Sequence, residues 1–401
     1  MVELQRVSQG SPIYRLQAAC GTVLRFLRAF AYLVLDSVSK TTACPRNDCA
    51  LVVRLDAIGD FFVWLQSGAV DVARYARGIA THSVLIANSS WAEYARATEL
   101  WDEVISIDAV RFVKSLLYRI QQLRRIRRLG ASCLIQPRCA RVFLLEDAIA
   151  RVCGAHRRIG NSGTYLNTTP ELRRLGNRFY TELIDVLDPA DTHELIRNQK
   201  FAFALTGTEP RSFEFAPITR SDNSGDIVIA LGAGEKGRLW PNEKLGALVR
   251  YILSTHPKAS VTLVGRGEDA LAAGYIIEST GGMIRNFVGK TSLFEYIEII
   301  AGASVVICNE SSAYHIAVAR NKPVLCLVGG GHYGLFAPYP KSAKNAASSY
   351  IVTKQMNCFG CNWKCRFDRG QTGAFRCVES IELEDAIAGL EVLFAGASEQ
   401  V

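Results

Sequence analysis

The sequence lacks any uninterrupted run of about 18 or more apolar residues, so no transmembrane helix is expected. It also lacks Arg-Gly repeats, a basic tail and zinc-finger spacing, which argues against a nucleic-acid partner. What it does have is 401 residues, enough for two domains, and a formal net charge of +8. This positive net charge favours anionic partners such as phosphates, acidic glycans or a membrane surface.

The N-terminal segment over 12–38 is apolar but contains internal arginines, unlike a signal peptide. At helical spacing, one face of this segment carries Leu16, Cys20, Val23, Leu27, Phe30 and Val34. Two interpretations fit equally well. The segment is either a helix packed on the first domain or a basic amphipathic helix lying on an anionic membrane.

The twelve cysteines are scattered, except for four near the C-terminus. These four have the spacing C-x2-C-x3-C-x11-C and are Cys358, Cys361, Cys365 and Cys377. Four thiolates can complete a tetrahedral zinc site, so the spacing predicts a structural zinc. The alternatives are reduced thiols, the usual state in a cytosol, or a facultative disulfide.

Short apolar strands alternate with helical patterns along the chain, which predicts parallel sheets covered by helices on both faces. The pattern stops over 206–225, a stretch rich in Pro, Ser, Thr and Gly, and then restarts. We therefore predict an α/β protein with two doubly wound, Rossmann-like domains. The expected ranges are 1–47 for an N-terminal extension and linker, 48–205 for the first domain, 206–225 for a linker, and 226–401 for the second domain.

Polar residues follow two of the predicted strands, at the edge where open α/β sheets bind ligands. In "VVRLDAIGDFF", Asp60 falls in the first turn of a helix, although an aspartate there is also a common helix cap. In "ALGAGEKGRLW", the loop glycines Gly232 and Gly234 would let a phosphate approach backbone N–H groups, and Lys236 and Arg238 would neutralise its charge. A solvated turn is the alternative.

Two later strands end in the same way. In "TLVGRGEDALA", Glu268 fits either a ribose contact or a carboxylate facing the helix dipole. In "VVICNESSAYHIAVA", Glu310, Ser311 and Ser312 begin a helix whose free N–H groups suit an anion. His315, one turn later, is either a further donor or a buried core histidine.

Taken together and in this order, these motifs resemble glycosyltransferase family nine, the bacterial heptosyltransferases of lipopolysaccharide core assembly. The resemblance rests on "LVVRLDAIGDFF", "GAGEKGRLWPNEKLGALV", "VTLVGRGED", the stretch from "NFVGK" to "KPVLCLVG", and "CFGCNWKC". It implies a GT-B fold, in which two Rossmann-like domains face a cleft. It also implies inverting, metal-independent transfer, typically of heptose from ADP-heptose, with no cofactor required for catalysis.

The resemblance further implies which residues act. Asp60 corresponds to the catalytic general base in an acceptor-binding first domain. The expected donor-binding residues of the second domain are Gly232, Gly234, Lys236, Arg238, Glu268, Glu310, Ser311, Ser312 and His315. For an anionic glycan or glycolipid acceptor we expect basic contacts from Arg54 and from the arginine-rich helix that carries Arg124, Arg125, Arg127 and Arg128. The expected location is cytoplasmic, with a peripheral membrane position left open.

One departure from the family bears on the donor. Relatives usually read Asp-Thr-Gly where this chain has Glu310-Ser311-Ser312. Ser312 adds a side chain where a phosphate would approach the backbone. The departure leaves three interpretations: the default ADP-heptose donor, a different nucleotide sugar for another surface glycan, or a catalytically degenerate glycan-binding protein.

Overall fold

The computed structural model describes residues 27–44, 47–216, 226–281 and 284–398. The chain divides between Phe213 and Glu214 into two compact units. Within the described ranges, no helix is both long and apolar enough to cross a bilayer.

The first unit contains a parallel six-stranded sheet of order β3-β2-β1-β4-β5-β6. Its strands are β1 (Cys49–Arg54), β2 (His82–Asn88), β3 (Glu103–Ile107), β4 (Cys133–Gln136), β5 (Arg157–Asn161) and β6 (Glu182–Ile184). In register, Leu51 of β1 lies between Val84 of β2 and Leu134 of β4. Every residue of β1 is buried, because a central parallel strand is covered by helices on both faces.

The helices of this unit connect successive strands. They are α1 (27–36), α2 (Ile58–Leu65), α3 (Ala69–Ile79), α4 (Ala92–Ala97), α5 (Ala109–Lys114), α6 (Leu116–Arg128), α7 (Ala148–Val152), α8 (Pro170–Asn177) and α9 (Glu194–Thr206). A 3-10 turn over Ser37–Thr41 follows α1, and a π-helical turn over Phe143–Asp147 precedes α7.

The second unit repeats the same topology, with the sheet order β12-β11-β10-β7-β8-β9. Its strands are β7 (Asp226–Ala230), β8 (Ser260–Val264), β9 (Ile284–Asn286), β10 (Val305–Asn309), β11 (Val324–Leu327) and β12 (Ser349–Val352). The helices are α10 (Asn242–Thr255), α11 (Ala270–Thr280), α12 (Leu293–Gly302), α13 (Ser312–Ala319), α14 (Arg376–Glu379) and α15 (Leu383–Ser398). Both sheets have the Rossmann strand order, so the predicted fold class is confirmed.

The described part of the predicted N-terminal helix, α1, packs on the first unit. Arg119 of α6 forms a buried ion pair with Asp36 (Nε to Oδ1, 2.6 Å), and Tyr32 donates a hydrogen bond to the carbonyl of Val113 (2.7 Å). The apolar face predicted from the sequence points the other way: Phe30 and Val34 are exposed. Residues 12–26 of the predicted helix lie outside the described residues.

Candidate functional site

Each sheet has one point where the strand order reverses, and ligands of open α/β sheets bind beyond the strands there. In the first sheet this switch point lies between β1 and β4, and in the second between β7 and β10. The loops that leave these four strands carry most of the predicted site residues. Each unit thus has one candidate site at the carboxyl edge of its sheet.

Asp60 lies at the switch point of the first sheet, in the first turn of α2. The N-cap of α2 is Ala57, which makes no side-chain hydrogen bond, so Asp60 is the third residue of the helix and not its cap. The residue is partly exposed. A carboxylate in the first helical turn is stabilised by the helix dipole and remains accessible to a substrate.

Arg54 is buried, whereas the sequence predicted that it would contact an acceptor. Its guanidinium donates to Asp56 (Nε to Oδ2, 2.8 Å) and to Asn198 (Nη1 to Oδ1, 3.1 Å), and it lies over the ring of Trp64 at 4.8 Å. The guanidinium group of Arg54 is therefore bound by residues of its own domain. Arg54 therefore positions the loop that carries Asp56 and is not placed to touch an acceptor itself.

Arg138, which the sequence analysis did not identify, reaches the same site from the end of β4. It pairs with the buried Glu146 (Nη1 to Oε1, 2.7 Å) and lies near Asp56 (Nε to Oδ2, 3.7 Å). The other oxygen of Glu146 accepts a hydrogen bond from the backbone N–H of Val142 (2.8 Å). The signal in the sequence was the position of Arg138 just after a strand that adjoins β1.

The environment raises the pKa values of both aspartates. Burial raises the pKa of Asp56 to about 6, against the opposing effect of Arg54 and with a further increase from Asp60. Burial also raises the pKa of Asp60, while Arg138 and Arg54 act in the opposite direction. A carboxylate with a raised pKa is a stronger base, which is the property that proton abstraction from a hydroxyl requires.

In the second unit, Asn309 at the end of β10 holds the loop that follows β7. Its Nδ2 donates to the carbonyl of Leu231 (2.9 Å), and its Oδ1 accepts from the backbone N–H of Trp240 (2.9 Å). The glycine-rich loop between these two residues is therefore fixed at both ends beside the start of α13. Asn309 was not predicted as a site residue, because its role depends on a residue about 70 positions away.

Glu310 and Ser311 lie at the N-terminus of α13, and each has a polar side-chain atom without a hydrogen-bond partner among the described residues. Glu310 is buried, and among the described residues neither its Oε2 nor the Ser311 hydroxyl has a hydrogen-bond partner. Burial raises the pKa of Glu310 to about 7, while Arg238 acts in the opposite direction. At a helix N-terminus, the Ser311 hydroxyl can donate to an anion, and Glu310 can do so when its carboxyl group is protonated.

Arg238 and His332 complete this cluster. Arg238 lies over the ring of Trp363 at 4.2 Å. The Nδ1 of His332 is 3.9 Å from Glu310 Oε1, and its Nε2 is 2.7 Å from Asn362 Oδ1. His332 belongs to the glycine-rich loop after β11 and was missed in the sequence, where nothing distinguishes it from a turn residue.

The remaining predicted donor residues are placed at the same edge of the second sheet. Lys236 is exposed in the 3-10 turn Lys236–Arg238, and Gly234 is exposed just before it. A side chain at Gly232 would meet the Asp269 carboxylate at 3.0 Å, so that carboxylate would have to shift to admit one. Glu268 is exposed in the turn after β8, where it pairs with Arg266 (3.3 Å).

His315 occupies a more enclosed position than predicted for a phosphate donor. It is buried, its Nδ1 lies 3.1 Å from the hydroxyl of Tyr339, and the rings of Tyr314 and Phe336 are close by. These contacts match the core-histidine interpretation. Ser312, the first residue of α13, is half-buried at the helix N-terminus.

The arginine-rich end of α6 lies away from the candidate site of its unit. Because α6 runs back from β3 to β4, its last turn, with Arg124, Arg125, Arg127 and Arg128, lies at the amino edge of the sheet. Arg125 is 4.0 Å from Glu103, the first residue of β3, and Arg127 donates to the carbonyls of Thr42 and Val152. The predicted acceptor role of these arginines is therefore not supported.

The four late cysteines, which the sequence predicted as zinc ligands, carry no disulfide in the structure. All four are free thiols, and Cys377 accepts a hydrogen bond from the backbone N–H of Gly330 (3.3 Å). Across the described ranges, no group of three or more His, Cys, Asp or Glu side chains is positioned to hold a metal ion. The described residues therefore show no ready ligand set for zinc, and the choice between zinc and reduced thiols stays a prediction.

Two Rossmann-like domains in one chain, each with polar loops at its carboxyl edge, define the GT-B class of fold. Residues 196–362 match the sequence profile of glycosyltransferase family 9 (heptosyltransferase). This match confirms the resemblance found in the motifs.

Two curated relatives are heptosyltransferases. Lipooligosaccharide heptosyltransferase 2 of Haemophilus influenzae is 26% identical over 152 residues, which are 36% of this chain and 38% of that protein. Lipopolysaccharide heptosyltransferase 1 of Campylobacter coli is 24% identical over 176 residues, or 43% and 47% of the two chains. Each match spans less than half of the relative's length.

Solved structures extend the likeness over most of the chain. E. coli ADP-heptose lps heptosyltransferase II gives a TM-score of 0.61 at 16% identity, covering 87% of this chain and 99% of that chain. The family 9 glycosyltransferase of Veillonella parvula gives 0.65 at 14% identity, with 88% and 99% covered. The iron-containing heptosyltransferase TibC gives 0.51 at 12% identity, with 88% and 78% covered. At these identities the likeness shows the fold.

Proposed function

We propose that this protein is an inverting, metal-independent glycosyltransferase that transfers a sugar, by family default heptose from ADP-heptose, to a lipopolysaccharide core or related glycan. The observation that carries the proposal is the partly exposed Asp60 carboxylate at the first switch point, with its pKa raised. The family 9 match and the heptosyltransferase relatives support the same reaction class.

In this mechanism Asp60 accepts the proton of the acceptor hydroxyl, and the oxygen of that hydroxyl attacks the anomeric carbon of the donor. The bond from that carbon to the phosphate oxygen breaks, and the nucleoside diphosphate leaves with its electron pair. Attack from the face opposite to the leaving group inverts the anomeric configuration. Arg54 and Arg138 oppose the burial-driven rise in the pKa of Asp60, which favours the carboxylate form that acts as a base.

The second unit supplies the charge that the leaving diphosphate needs. Arg238, Lys236 and the N-terminus of α13 carry positive charge or free N–H groups at one edge of the sheet. These groups would stabilise the diphosphate without a metal ion. An E. coli relative was solved with an ADP-heptose analogue, which supports an ADP-sugar as the donor.

The proposal is tested by incubating the full chain with a panel of nucleotide sugars and candidate glycan acceptors, and measuring the nucleoside diphosphate released. ADP-heptose should give acceptor-dependent release that persists in EDTA. Release that requires added metal would overturn the metal-independent mechanism. No acceptor-dependent release from any donor, with ADP still bound, would favour a glycan-binding protein.

A different donor is the second candidate, and one observation favours it. Glu310 is buried where family members usually have the shorter Asp, and Ser312 replaces their glycine at the first position of α13. Both changes add atoms beside the expected diphosphate. If the panel shows faster turnover with another nucleotide sugar than with ADP-heptose, the reshaped pocket explains the change.

Removing the positive charge of Arg138 should move the acid limb of the pH profile to higher pH. Arg138 opposes the raised pKa of Asp60, so its loss raises that pKa further and leaves more of the base protonated. For the double variant Arg138→Met/Glu146→Gln, we expect the acid limb of kcat/KM to shift upward by about one pH unit. The profile is measured from acidic to mildly alkaline pH.

The double variant avoids leaving Glu146 as a buried charge without a partner, which would destabilise the fold. Glu146→Gln alone serves as the matched control and should shift the limb little. An unmoved acid limb in the double variant would show that Arg138 does not influence the catalytic base.

Glu310 should make donor binding depend on pH. At a pH below its pKa of about 7, the carboxyl group of Glu310 is neutral and can donate a hydrogen bond to a phosphate oxygen. At a higher pH, the negatively charged Glu310 carboxylate faces the negatively charged diphosphate. We expect the Kd of ADP-glucose, whose diphosphate does not titrate in this range, to rise about tenfold between about pH 6 and pH 8. Arg238 and His332 are the charged or titratable groups around Glu310.

Glu310→Gln isolates this effect, because it keeps the size of the side chain but cannot ionise. The variant should bind ADP-glucose with similar affinity at both pH values in calorimetry. A variant that retains the full pH dependence would assign the titration to another group, with His332→Asn as the next variant to examine.

A further inference from the structure

One outward face of α1 and of the turn after it carries four large apolar side chains. Leu27, Phe30, Val34 and Val38 are 61%, 66%, 58% and 45% exposed. At about 3.6 residues per turn these positions fall on one face of the helix. A packed helix on a protein surface normally directs charged or polar residues toward solvent, so this face needs a partner that is not water.

The opposite face fixes the orientation of α1. Ala29 and Asp36 are buried, and Asp36 forms the ion pair with Arg119. Arg28 and Tyr32 both donate to the carbonyl of Val113 in α5 (2.8 and 2.7 Å). The helix therefore cannot turn its apolar face inward without breaking a buried ion pair.

The charges beside this face have one sign. Within 27–44 the acidic residue is Asp36, which is buried, while Arg28 and Lys40 are exposed. The adjoining α5 and α6 contain seven basic residues and no acidic residue over 109–128. Lys40 has a lowered pKa, first from partial burial and then from Arg151, Arg127 and Arg158, so further cations lie close to it.

We propose that Leu27, Phe30, Val34 and Val38, with the flanking cations Arg28 and Lys40, dock the protein on an anionic lipid surface. The apolar side chains enter the headgroup region and the cations meet the lipid phosphates. A second copy of this chain is a poorer occupant, because a two-fold contact would bring the same cations against each other.

The experiment measures co-sedimentation of the full chain with phosphatidylcholine vesicles, with and without phosphatidylglycerol. The wild-type chain should bind the anionic vesicles, and salt should weaken that binding. Phe30→Ser/Val34→Ser should weaken it about tenfold or more, since both side chains leave water in the docked state. The matched control, Leu271→Ser/Val392→Ser, removes two exposed apolar side chains of the second unit and should bind like wild type.

Two further measurements complete the test: vesicle binding by lysine variants, and self-association of the chain. Lys40→Gln/Lys114→Gln should weaken binding to anionic vesicles, whereas Lys258→Gln/Lys344→Gln, on exposed lysines of the second unit, should not. Equal binding by Phe30→Ser/Val34→Ser and wild type would overturn the proposal. A second result would also overturn it: the wild-type chain does not bind vesicles but forms a dimer in sedimentation velocity, and Phe30→Ser/Val34→Ser abolishes that dimer. This result would assign the face to a second copy of the chain. None of these readouts requires transfer activity, so failure here is separate from failure of the proposed reaction.

Discussion

Asp60→Asn is expected to lower the rate of sugar transfer by about 10²–10⁴, the usual cost of losing a general base. Asparagine has nearly the same shape as aspartate but cannot accept the proton of the acceptor hydroxyl. Asp60 lies in the first unit, whereas the predicted donor residues lie in the second, so ADP affinity should hardly change. The rate is measured as acceptor-dependent ADP release, and ADP affinity by calorimetry.

The structure also provides a control for folding. Asp60 is not the N-cap of α2, so its replacement should leave the melting temperature nearly unchanged. Asp56→Asn, in contrast, removes the negative charge that pairs with the buried Arg54 and should lower the melting temperature. If Asp60→Asn retains wild-type turnover, the general base lies elsewhere and Asp60 only interacts with the dipole of α2.

The sheets could be predicted from the sequence because buried parallel strands leave a strong local signal. The runs that became β1 and β10 are apolar at nearly every position, and each is followed by polar residues and a helix. That order also predicts that Asp60 and Glu310 lie at the carboxyl edges of the sheets. Local pattern therefore gives the fold and the edge on which a site lies.

The partners of those residues could not be predicted, because they converge from distant parts of the chain. Arg138 reaches Asp56 across two neighbouring strands, and His332 reaches Glu310 from the loop after β11. A single sequence shows which strands exist but not which are adjacent in the sheet. The strand order of the folded sheet supplies that information.

The position of the arginine-rich end of α6 follows from the direction of the chain. Composition alone suggested an anion-binding surface, but the direction of the chain already excluded the ligand edge. A helix that follows a strand returns to the amino edge, so its last turn lies far from the carboxyl ends. Arg125 accordingly meets Glu103 at the start of β3. Helix direction should be considered before a basic run is assigned to a substrate.

Arg238→Ala is expected to weaken donor binding and to slow transfer as well. The side chain lies over Trp363 and influences the pKa values of both Glu310 and His332, so its charge reaches the proposed diphosphate site. A charge-assisted hydrogen bond contributes about 1.5–3 kcal/mol, which predicts roughly ten- to hundredfold weaker ADP binding. The rate should fall further, because the diphosphate gains charge as the glycosidic bond breaks.

Two further variants separate the charge of Arg238 from its packing. Arg238→Lys keeps the charge but loses the planar fork that matches a phosphate and stacks on Trp363, so it should recover only part of the affinity. Arg320→Ala removes an arginine that lies over Phe215 at 5.5 Å, at the other end of α13, and should leave ADP binding unchanged. Unchanged ADP affinity and rate in Arg238→Ala would place the phosphate-binding charge elsewhere, with Lys236 the next cation in the same turn. A loss of affinity in Arg238→Ala but not in Arg320→Ala would locate the diphosphate at the N-terminus of α13, where Glu310 and Ser311 have unpartnered polar atoms.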